Sequence, residues 1–146
     1  MLRLSKLADY GVLLMAELAR DPGGATHNAR ELAAETGLPS PMVAKVLKTL
    51  TREGLLVSHR GAHGGYSLAR PPQQIPVAKI IAALEGPVAL TQCGAGPGSC
   101  EHEPSCHVRT PWERINRAVT GTLERVTLAD LIHPSDLIPL EELGVR

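Results

Sequence analysis

Apolar positions recur at helical spacing from Ser5 onward. Leu7, Gly11, Leu14 and Leu18 share one face, and Ala8, Val12, Met15 and Ala19 widen the arc until Asp21-Pro22-Gly23-Gly24 ends the pattern. The opposite stripe holds Lys6, Asp9, Glu17 and Arg20 with Leu13 set among them, either as an ordinary exposed leucine or as a subunit contact. A short helix over residues 29–36 turns Leu32 and Ala33 inward and stops at Gly37, the residue type suited to a left-handed helix end. The next helix begins with Ser40 as expected N-cap and Pro41 at the first helical position. Val43, Val46, Leu47 and Leu50 form its apolar face before Gly54 closes it.

Two short helices joined by a tight glycine turn predict a helix-turn-helix, with a generic helical hairpin as the alternative. The following stretch, LLVSHRGAHGGYSLAR, alternates as a strand, passes through the glycines between Gly61 and Gly65, and alternates again. A β-hairpin directly after the second helix, with His59, Arg60 and His63 towards its tip, makes the expected unit a winged helix. Ile75, Val77, Ile80, Ile81 and Leu84 then suggest a helix to Gly86. The segment beyond it carries Gly94, Gly96, Pro97, Gly98 and Pro104 and is expected to be irregular. From Pro111 a long helix spaces Trp112, Ile115, Ala118, Val119 and Leu123 as a stripe too long for so small a core. It is read as a dimerisation helix, with a monomeric cap as the alternative.

The expected organisation is therefore mainly α with a small β-wing. Residues 1–88 form a winged helix-turn-helix DNA-binding domain, 89–110 a cysteine-rich loop, 111–126 the dimerisation helix and 127–146 one further helical turn with a loosely held tail. Composition agrees with a helical core: Phe is absent, Trp112 is the only tryptophan, and Tyr10 and Tyr66 are the only tyrosines. The formal charge is zero, so only its distribution bears on partners. Between Pro39 and Arg70, five cations face the single anion Glu53, a local excess of four in a neutral chain.

That local charge falls on the second helix and the wing. A helix laid in the major groove would offer Ser40, Pro41, Met42 and Lys45 near its N-terminal end, with Ser40, Met42 and Lys45 aimed at base edges. Lys48 and Arg52 would meet phosphates, and the wing would bring His59, Arg60 and His63, with Arg60 entering a minor groove. A solvated cationic face is the plainer account, but it does not explain why the charge coincides with this fold. The partner expected is a double-stranded DNA operator. The charged residues that interrupt the N-terminal helix argue against a membrane span or signal peptide, so the expected location is cytoplasmic.

All three cysteines, Cys93, Cys100 and Cys106, lie in the irregular segment with six and five residues between them. An odd count in a reducing compartment disfavours a disulfide framework. The spacing is wide for a zinc knuckle and suits thiolate ligands of an iron-sulfur cluster. Zinc and free peroxide-reactive thiols remain the other readings. Three thiolates would leave a position open, with Glu101, His102, Glu103 and His107 near in sequence. No Cys-His-Asp arrangement is recognisable, which argues against an enzyme.

LRLSKLADYG, the helix-turn-helix ELAAETGLPSPMVAKVLKTL, the wing HRGAHGGYSLAR and the three-cysteine loop together resemble the Rrf2 family of bacterial winged-helix regulators over residues 1–126. GPVALTQC with SCEHEPSCHVRTPWERINRAV is most similar to the branch that regulates the Suf iron-sulfur assembly system. The resemblance implies a homodimer in which the three cysteines hold an iron-sulfur cluster whose status alters DNA affinity at assembly-gene promoters, commonly in repression. The first cysteine interval is one residue longer than in the Isc type, which leaves both two-iron two-sulfur, the favoured form, and four-iron four-sulfur open. Arg109 stands where the Isc-type repressor carries a histidine ligand. Asp9 matches an aspartate that in the nitric-oxide-sensing branch reaches the cluster from the other subunit. Asp9 is therefore the first choice of fourth ligand and His107 the second.

Overall fold

The computed structural model describes residues 3–21 and 23–133. Helix α1, Lys6–Ala19, starts where Ser5 Oγ accepts the Ala8 N–H, and it buries Leu14, Met15 and Leu18. Gly11 lets this helix approach its neighbour, since a Cβ there would collide with Leu84. Helix α2, Ala29–Thr36, opens with a reciprocal capping box between Asn28 and Glu31 and ends on Gly37 at φ 69°. Helix α3, Ser40–Arg52, buries the expected face of Val43, Val46, Leu47 and Leu50.

The start of α3 differs from the sequence reading. Pro39 holds the N-cap position, and its carbonyl accepts the Met42 and Val43 N–H groups, so Ser40 and Pro41 are the first two helical residues. Pro39 supplies extended backbone at ψ 127° without a capping side chain, and the Ser40 side chain is left exposed and outside any capping bond.

Strands β1, Leu56–His59, and β2, Gly65–Leu68, pair antiparallel with Leu56 opposite Leu68 and His59 opposite Gly65. This is the expected wing. A second tie fixes its base: His27 and Tyr66 exchange backbone hydrogen bonds at 3.0 and 2.8 Å, joining the segment before α2 to β2. Gly65 sits at φ 155° with its α-carbon against the His27 carbonyl, where a Cβ would come within 2.4 Å.

Helix α4, Val77–Glu85, is shorter than the apolar pattern implied. Ile75 precedes it, buried at the end of a 3-10 turn over Pro72–Gln74, because the proline that follows, Pro76, holds Ile75 in extended backbone. Helix α5, Arg109–Arg125, starts two residues earlier than expected and buries none of its residues.

The larger difference concerns the region after α5, where the expected further turn of helix is present but is packed into the core. Helix α6, Leu128–Ile132, carries a Thr127–Asp130 capping box, and Leu128 is fully buried in the central cluster with Leu14, Leu47, Ile75 and Ile80. The Leu128 N–H donates to the Ile75 carbonyl at 2.8 Å, and Pro76 bridges to Thr127. The part of the expected tail beyond His133 lies outside the described residues. No helix among the described residues is long and apolar enough to cross a membrane.

Candidate DNA interface and thiol loop

Burial of one face of α3 decides what the other face can do. Ser40, Pro41, Lys45, Lys48 and Arg52 are exposed, as a helix docking on DNA requires. Met42 is placed differently: it is half-buried and packs on the core, which makes it a weaker candidate for base contact than Ser40 or Lys45. Arg52 lies 3.5 Å from Glu53, whereas Lys45 and Lys48 have no carboxylate partner among the described residues. On the wing, Arg60 and His63 are exposed in the turn. His59 is committed across the hairpin, its Nε2 2.9 Å from Ser67 Oγ, so it braces the wing.

The irregular segment contains two 3-10 turns, Gln92–Ala95 and Glu103–Ser105. All three cysteines are free thiols and half-buried. Cys93 Sγ lies 3.1 Å from Thr91 Oγ1 and lines a cleft of about 740 Å³ between α4 and α5, together with Lys79, Asn116 and Thr120. Cys100 lines a different, smaller cleft with Glu103, Pro104 and Arg109. The structure does not bring the thiols to one point: among the described residues, no three His, Cys, Asp or Glu side chains converge as a metal-holding group. Asp9, in the first turn of α1, and His107 are both exposed. By donor chemistry the loop suits a soft metal or an iron-sulfur cluster, since it offers three unpaired thiols. Convergence of those thiols is not a property of the single chain as folded.

What holds the loop was not read from the sequence. Asn116 Oδ1 accepts the Leu90 N–H at 2.9 Å, anchoring the loop's beginning to α5. Its middle is anchored by Glu103, whose Oε2 accepts the Gly98 N–H at 2.7 Å while Oε1 meets Arg109 Nη1 at 2.9 Å. Arg109 Nε in turn donates to Glu113 Oε1 at 2.7 Å. The hydrogen bond donated to Glu113 and the charge of Glu103 push the Arg109 pKa above its ordinary value, with the smallest electrostatic contribution from Cys93. With both oxygens engaged, Glu103 is a poor choice of fourth ligand, whereas Glu101 is exposed. The spacing of Arg109 and Glu113 at i, i+4 was the available signal in the sequence.

Comparison with known proteins gives a consistent result. A family model described as Rrf2, iron-dependent transcriptional regulator, matches residues 4–134. A Mycobacterium tuberculosis protein named for a helix-turn-helix-type transcriptional regulator is 33% identical over 131 residues, covering 89% of this chain and 81% of its own. The structure of CymR, the global cysteine regulator of B. subtilis, superposes with a TM-score of 0.74 at 32% identity, over 93% of this chain and 100% of that one. The IscR structure from T. potens gives 0.72 at 30% identity, over 92% and 89%.

Proposed function

Because this chain belongs to the Rrf2 family of transcriptional regulators, we propose that it binds operator DNA as a homodimer through α3 and the wing, and that Cys93, Cys100 and Cys106 hold an iron-sulfur cluster whose presence sets DNA affinity. The chain is a DNA-binding regulator and not an enzyme. The observation that carries the proposal is the placement of three free, half-buried thiols on a loop anchored to α5, directly beyond the DNA-binding unit.

The protein's own groups divide the work. Exposed Lys45 and Lys48 on α3 supply attraction to phosphates, and Ser40 with Lys45 presents polar groups to base edges. Arg60 supplies a guanidinium to the minor groove, with His59 and Ser67 stiffening the wing behind it. Trp112, Ile115 and Val119 expose 39%, 46% and 37% of their surface on α5, and pairing of this stripe with a second copy would remove it from water. Such pairing would put two copies of α3 at a fixed separation, so a change at the thiol loop, which rests on the same helix, can alter half-site spacing. A bound cluster would supply a redox- and iron-responsive centre at the thiols. Asp9 of a second copy is the favoured fourth ligand, with His107 next, and cluster-assembly genes are the proposed targets.

Anaerobic reconstitution followed by titration of operator DNA tests the sensing role, and equal affinity with and without cluster would overturn it. A second reading, a regulator whose thiols act without a cluster through oxidation, zinc or protein contact, is favoured by the unconverged thiols and by the likeness to CymR. Iron and sulfide analysis of anaerobically isolated protein decides between them: stoichiometric iron and sulfide supports the first, zinc alone or no metal the second. Absorption and Mössbauer spectra of Asp9→Ala then test the fourth ligand, since an unchanged cluster removes Asp9 from the site.

A further inference from the structure

Arg109 is the first residue of α5, and its position is unfavourable on local grounds. A helix N-terminus is the positive end of the dipole and prefers anions, yet α5 has no capping side chain and no acidic residue in its first turn. Within the helix its partner is Glu113 at i, i+4, a small local gain that does not account for its reach to Glu103. What the guanidinium does is join three pieces of chain. It meets Glu113 one turn along α5 and Glu103 between Cys100 and Cys106, and Glu103 in turn holds the Gly98 N–H between Cys93 and Cys100. Glu103 is only 13% exposed in its side chain, so this part of the network is partly shielded from water.

We propose that Arg109 and Glu103 form a clamp that positions the thiol loop on α5, with Arg109 as a positioning residue rather than a ligand. One carboxylate stitches the two cysteine intervals together, one guanidinium fastens that stitch to the helix, and Glu113 fixes the guanidinium's orientation. The positive charge of Arg109 beside the thiols would also offset the negative charge that thiolate ligands bring to a metal group. This last consequence rests on the sensor reading given above, whereas the clamp on the loop stands without it.

The experiment has two arms. In the reduced, metal-free full-length protein, alkylation rates of the individual cysteines are followed by mass spectrometry for wild type, Arg109→Gln, Glu103→Gln and Glu113→Gln. Cys100, which flanks the clamp, reacts about threefold to fivefold faster in Arg109→Gln and Glu103→Gln, the range a partly exposed ion pair supports, and less is gained in Glu113→Gln. Unfolding midpoints stay close to wild type, because none of these residues is in the core. In the second arm, the reconstituted proteins are challenged with an iron chelator, and Arg109→Gln and Glu103→Gln lose cluster about tenfold faster, as loss of an outer-shell partner commonly costs. Unchanged alkylation in both of these variants overturns the clamp whatever the metal content. A wild-type protein that takes up no cluster overturns the sensor reading instead, while the first arm still scores the clamp.

Discussion

Lys48 gives the sharpest test of α3 as the DNA-reading helix. Its ammonium is exposed in the last turns of the helix and has no carboxylate partner among the described residues, so Lys48→Ala removes a charge without breaking a fold contact. Each phosphate neutralised by a protein cation contributes about 0.9 to the slope of log affinity against log salt concentration. In the proposed homodimer two copies of Lys48 would face the operator, so the variant should lose about 1.8 from the slope, twice that unit contribution. Between 50 and 200 mM salt, a fourfold change, the ratio of wild-type to variant affinity should then shrink about twelvefold. Fluorescence anisotropy titrations at four or five salt concentrations measure the slope directly. Arg52→Ala is the internal comparison: Arg52 lies 3.5 Å from Glu53, which already offsets part of its charge, so its slope change should be smaller. A Lys48→Ala slope equal to wild type within error refutes the phosphate role, and a lower affinity at constant slope would move Lys48 to base contact or helix packing.

Three further expectations follow from packing. Leu128→Ala removes a fully buried side chain, and lost transfer plus cavity should cost about 3 kcal/mol in denaturant titration of the reduced protein; a change below about 0.5 kcal/mol, the range of surface substitutions, would mean that residues 127–133 are not part of the core. Gly65→Ala drives a Cβ into the His27 carbonyl at positive φ and should detach the wing base, raising amide exchange at Tyr66; unchanged exchange would show that the bridge is not what fixes the wing. Ile115→Asp places a charge in the exposed α5 stripe and should shift sedimentation from dimer to monomer, and an unchanged mass would put the dimer contact elsewhere. Raising the pH should not release the Arg109 clamp in the working range: a raised pKa makes its contribution fully present below the ordinary arginine value, lost only as pH climbs through the higher folded one.

The sequence by itself determined the local elements of the DNA-binding unit. Helical spacing located α1 and the buried face of α3, Gly37 marked the turn, and period-two alternation around Gly61 to Gly65 placed the wing, because each of these signals is carried by residues adjacent in the chain. Resemblance added the family, and the three cysteines marked the loop on which the sensing proposal rests. Only the tertiary structure decided that Leu128 closes the core, that Met42 turns inward, that His27 fastens the wing and that Arg109 carries the loop on α5. Most of those facts depend on which distant segments meet, such as Ile75 with Leu128 or His27 with Tyr66, and the period of apolar residues along one segment holds no information about its partner. The thiols make the same point from the other side: their proximity in sequence marks a loop, but whether they converge on one group depends on how that loop is held.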